Sequence, residues 1–238
     1  MKSTCNTYNE RITEIDFYYD ALRQLDLELT ESFGMATLPD KKYKHDDFLK
    51  ILKANALIMI YNLVESTVLN GIEEIYDKLS ANGATYSTVR KEIQDIWFSY
   101  KFEQVYHQPE ASYISYKGKA LEIVNSIMVG ETVQLNRNAL SLSGNLDAEI
   151  IFTICSNHGI DFKPDSSCKG GKRLGDVRKK RNGLAHGNFS FAECGRDYSL
   201  EDLIEIKKQT YVFLSGLLDG MNKYYNTEGY LNTSTSNQ

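Results

Sequence analysis

Proline is scarce, with three residues in 238, so nothing here reads as a Pro-rich linker and long helices can run unbroken. No stretch of about 18 uncharged apolar residues occurs, which argues against a membrane span. The opening MKSTCNTYNERITE lacks the basic-then-apolar order of a signal peptide, and the chain is expected to be cytoplasmic. The four cysteines, Cys5, Cys155, Cys168 and Cys194, are widely spaced and form no C-x-x-C pair. In a cytoplasmic chain they are expected to be reduced thiols. Positive net charge is also missing. At −5 overall, the chain has no general attraction for nucleic acid, and any such site must be a local patch.

What is present is a globular composition, 42% apolar and 25% charged, enough for one substantial core, and residues 1–238 are read as a single domain. Apolar groups at Ile12, Ile15, Tyr19, Leu22, Leu25 and Leu29 recur at spacings of three and four, one face of a helix over 8–31. Residues 32–46 hold a Gly and a Pro and read as a loop. Phe48 to Ser80 is the strongest helical run, apolar on nearly all sides in its middle, and predicts a central helix packed by several others. A shorter amphipathic segment covers 89–102. From 103 to 142, with His107, Pro109 and an apolar run Leu121 to Val129, the pattern does not separate helix from strand.

Asn145 or Asp147 can cap a helix through Ser156 that Gly159 stops. The segment LGDVRKKRNGLAHGN is a helix ending near Gly187, and Ser199 with Asp202 opens a last helix through Tyr225. The tail 232–238 is polar and expected to fray. The architecture expected is all-α, a bundle of roughly six helices.

One segment departs from the acidic whole. Between Lys163 and Arg181 eight basic residues face two acidic ones, Asp165 and Asp176, a density suited to several backbone phosphates. A solvated helix face accounts for the same run equally well. It leads directly into Arg181-Asn182-Gly183-Leu184-Ala185-His186. On a helix Asn182 and His186, four apart, share a face, whereas Arg181 lies about 140° from His186 and must reach the same cleft through its long side chain. Cation, amide and imidazole together suit phosphodiester transesterification of RNA. His186 would move protons, Arg181 would stabilise phosphoryl charge with its donor fork, and Asn182 would orient either the imidazole or the phosphate. No metal or other cofactor is required. Arg178, Lys179, Lys180, Lys172 and Arg173 are the candidate RNA-steering cations.

This RxxxxH motif, in the form RN-x-x-x-H followed by Gly, resembles that of the HEPN superfamily of small all-α ribonucleases found in toxin–antitoxin and phage-defence systems. The resemblance extends through IMIYNLVESTVLNGIEEIYDKL, SGNLDAEI, VRKKRNGLAHGNFSF and the closing DLIEIKKQTYVFLSGLLDGMNKYY, roughly residues 8–231. It implies a HEPN-type bundle, and a homodimer joining two motifs in one cleft. Cleavage would be metal-independent and leave 2′,3′-cyclic phosphate and 5′-hydroxyl ends. Carried over by position, Arg181, Asn182 and His186 are the catalytic set, and an antitoxin protein is a partner to expect. HEPN toxins paired with nucleotidyltransferase antitoxins often carry a Tyr two residues after the His; here Asn188 stands there, so silencing through that Tyr is not expected.

Other features weigh less. Glu65, a carboxylate in the most apolar helix, can pair with Arg181 or a lysine across the bundle, either supporting the site or as a structural ion pair. Cys155 and His158 have metal-ligand spacing, but a zinc site needs about four ligands. Cys194 reads as a small buried group and Arg196 as a structural partner, while Trp97 and most tyrosines read as core or rim. His45 and His107 have no partner pattern. Two rival readings share the sequence: a non-catalytic HEPN module binding RNA, a nucleotide or a protein, and a monomeric helical interaction protein whose RxxxxH is accidental.

Overall fold

The computed structural model describes residues 1–31, 45–106, 113–140 and 145–232. Of the loop expected at 32–46, residues 32–44 lie outside them and 45–46 instead open the second helix. The His107 and Pro109 piece and residues 233–238 of the tail expected at 232–238 also lie outside, while the Asn232 N–H is bound to the Thr88 carbonyl at 2.9 Å. The described residues form α1 (Lys2–Glu31), α2 (His45–Ala81), α3 (Lys91–Tyr106), α4 (Tyr113–Met128), α5 (Ala148–His158), α6 (Lys172–Ala185), α7 (Phe191–Arg196) and α8 (Leu200–Asn226). Among them there is no strand, only isolated bridges at Thr85–Thr132 and Val89–Leu231. The fold is all-α, with eight helices where about six were expected.

α2 is the axis of the bundle. Leu57, Ile60, Leu63, Ile72, Ile75 and Leu79 are fully buried along its 37 residues, because α1, α6, α7 and α8 all pack against it. Each such side chain contributes roughly 1.5–3 kcal/mol of burial. By length and composition α2 is apolar enough to cross a membrane, but half of its most apolar window is buried inside the bundle, the position of a core helix. α8 opens with the capping box of Ser199 and Asp202. It then buries Leu203, Ile206, Thr210, Phe213, Leu217, Met221 and Tyr224 at steps of three and four. α7 comes so close to α2 that a Cβ on Gly195 would stand 1.8 Å from the Lys50 carbonyl oxygen.

The two additional helices have separate causes. α7 is six residues long, shorter than any periodicity can show. α4 buries only Ile123 and Ser126 while Ile114, Leu121, Val124 and Met128 face outward, so its apolar residues lie on both sides and the sequence pattern carries no face.

α5 resolves the choice of cap. Asp147 is the N-cap, accepting from the Ile150 N–H at 3.1 Å, so Asn145 is not the cap. Gly159 ends the helix at φ 70°, and a Cβ there would strike the Arg90 guanidinium, which donates to the Gly159 carbonyl at 3.1 Å.

Candidate active site

α6 starts from an unusual turn. Lys169, Gly170 and Gly171 are all left-handed, and Gly171 has no room for a Cβ against Phe213 and Ala148. From there the helix sorts its residues onto two faces. Leu174 and Val177 are buried and Leu184 packs against the core; Arg181 lies within about 60° of this stripe at 100° per residue. Lys172, Lys179 and His186, seven residues apart and all exposed, form the outward stripe, with steps of about 10 Å.

The helix ends as its glycine predicts. Gly187 sits at φ 69°, its N–H donating to Leu184 O at 3.2 Å while the Asn188 N–H reaches Gly183 O at 2.9 Å, the paired bonds of a Schellman motif. His186 is therefore the C-cap residue. Phe189 folds back beneath it, so close to Gly183 that a Cβ there would be 2.2 Å from the ring.

An open cleft of about 490 Å³ lies at this helix end, lined by Asn145, Arg178, Lys179, Asn182, Gly183, His186, Asn188 and Phe189. The structure thus brings Asn182, His186, Lys179 and Arg178 together. Arg181 does not line the cleft. Its guanidinium lies over the Tyr61 ring of α2, 4.6 Å from the centroid, and its Nη1 donates to Asn182 Oδ1 at 3.0 Å. Asn182 Nδ2 donates to Asn145 Oδ1. The Tyr61 hydroxyl accepts from the Leu146 N–H at 3.3 Å and reaches the Glu65 carboxylate at 3.4 Å. Glu65 therefore meets the motif through Tyr61. Burial first, then the Glu65 charge, raises the phenol above its ordinary value against the opposing Leu146 N–H and Arg181, so the hydroxyl remains protonated.

The remaining steering candidates separate by their partners. Arg178 binds Asp147, the α5 cap, at 2.7 Å while still forming part of the cleft wall. Lys180 turns away from the cleft to Asp197 at 2.6 Å, between the rings of Phe189 and Tyr198. Arg173 sits 3.5 Å from Asp176. Among the described residues no carboxylate pairs with Lys172 or Lys179. Sequence reasoning passed over Tyr61 and assigned Asn145 only a capping role. The available signal for Tyr61 was its place four residues before Glu65, one turn away on the same face.

Cys155 and His158 belong to the core. His158 Nε2 is 2.6 Å from the Tyr76 hydroxyl and Nδ1 is 2.7 Å from the Ile154 carbonyl, so both ring nitrogens are occupied. Burial pushes the imidazole down to about 4 and the Cys155 thiol up to about 12. Among the described residues no three His, Cys, Asp or Glu side chains converge as a metal site. Trp97 and Cys194 are core residues.

An all-α bundle built round one apolar helix, with an RNxxxH motif closing a basic helix at an open cleft, is the form of a HEPN protein. The chain belongs to that superfamily: the family described as MAE_28990-like HEPN matches residues 2–230. No curated protein and no solved structure matches it.

Proposed function

We propose that this HEPN protein is a metal-independent endoribonuclease that acts as a homodimer, a cytoplasmic toxin or phage-defence component under the control of an antitoxin protein. The observation that carries this reading is the convergence of His186, Asn182, Lys179 and Arg178 on one open cleft. An imidazole can give or take a proton, so His186 serves proton transfer in either direction. One His186 takes the proton of the ribose 2′-hydroxyl as its oxygen attacks the adjacent phosphorus. The bond to the 5′-oxygen breaks, and that oxygen receives a proton from the His186 of a second copy. The products are a 2′,3′-cyclic phosphate and a 5′-hydroxyl. A guanidinium fork stabilises the phosphoryl charge. Membership in the HEPN superfamily supports pairing two motif ends across a twofold axis, with one His186 acting as base and the other as acid.

A non-catalytic HEPN module is the second reading, and that same seat of Arg181 on Tyr61 favours it. End-group analysis of RNA incubated in excess EDTA with wild type and His186→Ala separates the two. Cyclic-phosphate ends made by wild type and lost in a folded His186→Ala support the nuclease. Cleavage that survives the substitution overturns the site, and RNA binding without product selects the module.

A further inference from the structure

The contacts round Arg181 close on themselves. From Asn145 the path runs to Asn182, then to the Arg181 Nη1, the Tyr61 ring and the Leu146 N–H, which belongs to the residue after Asn145. One short segment ahead of α5 thus anchors both ends of the ring of contacts. Tyr61 is 1% exposed, so packing on all sides holds its ring, while its hydroxyl meets the Leu146 N–H and the Glu65 carboxylate. The amide of Asn182 is likewise fixed: Oδ1 must accept from Arg181 and Nδ2 must donate to Asn145.

We infer that Tyr61 and Asn145 are positioning residues for the motif, Tyr61 as the platform that aims the Arg181 guanidinium and Asn145 as the acceptor that orients Asn182. This rests on the ribonuclease reading of the same site. The cation above the ring is attracted by its electron-rich face, and without that face the half-buried guanidinium would sample a wider spread of rotamers. The platform restricts that spread before substrate arrives. A misplacement of about 1 Å at such a group costs on the order of 100-fold in rate.

The test is steady-state cleavage of a labelled RNA by the full chain in EDTA, at a temperature where circular dichroism shows each variant folded. Tyr61→Leu is expected to lower kcat by about 10–100-fold with KM nearly unchanged, while Tyr61→Phe, which keeps the ring, stays within about threefold of wild type. Asn145→Ala is expected to lower kcat, and Asn145→Asp, which keeps the acceptor, to restore it with a higher KM for the polyanion. Should Tyr61→Leu fail to fold, the Asn145 pair decides. Equal kcat in Tyr61→Leu and wild type, or equal losses in Tyr61→Leu and Tyr61→Phe, overturns the positioning role while leaving the nuclease standing. A wild type that cuts no RNA overturns both.

Discussion

Lys179 and Lys180 are neighbours of equal charge on α6, and the structure gives them opposite surroundings. Lys179 is exposed on the cleft wall. Lys180 is held by Asp197, with side-chain exposures of 25% and 49% for the pair, and lies near two aromatic rings. Each phosphate neutralised by a protein cation contributes about 0.7 to the slope of log affinity against log salt for a single strand. Lys179→Ala should therefore flatten that slope by about 0.7, which between 50 and 200 mM salt is a difference of roughly 2.5-fold. Lys180→Ala should leave the slope unchanged, because its charge is already neutralised by Asp197. Its cost should appear in stability instead, at about 1 kcal/mol or less after allowance for solvent screening. The assay is fluorescence polarisation of a labelled single-stranded RNA across a salt series, with every protein carrying His186→Ala so that the probe is not consumed. Urea midpoints measured on the same variants supply the second coordinate. Equal slope changes for the two lysines, or a change for Lys180→Ala alone, would refute the sorting of α6 into a paired and an open face.

Three further outcomes are expected. His158 has a folded pKa below its unfolded one, so the unfolded chain binds the proton first; its contribution is complete above about pH 6.5 and declines as pH falls toward 4, by about 2–3 kcal/mol at pH 4.5. Urea midpoints of wild type and His158→Gln at pH 7.5 and 4.5 isolate this, and a difference between them that does not change with pH contradicts it. Gly195→Ala puts a Cβ onto the Lys50 carbonyl and should cost about 3 kcal/mol, read as a lower melting temperature, since backbone meets backbone and neither can yield cheaply. Gly187→Ala should destabilise by about 1 kcal/mol because of its left-handed φ. Gly175→Ala, within α6 and with open space around it, should stabilise by roughly as much, and denaturant titration should show the opposite signs.

The sequence by itself determined the helices whose faces bury a repeating stripe, and the ends that glycine and capping residues enforce. Leu203 to Tyr224, the Ser199 cap and the stop at Gly187 are local physics: burial at steps of three and four, and backbone groups satisfied within a few residues. The RNxxxH motif is equally local, and it indicated the HEPN class together with the blocks that carry the resemblance over residues 8–231. α4 was illegible because its apolar residues lie on both faces, and a six-residue α7 has no period to read. Only the tertiary structure decided which way each cation points. Arg178, Lys179, Lys180 and Arg181 are consecutive and chemically alike, yet one pairs with a helix cap, one remains open on the cleft wall, one turns to Asp197 and one lies on Tyr61. Successive residues on a helix point 100° apart, and each direction meets an element distant in sequence whose partner group no local pattern encodes.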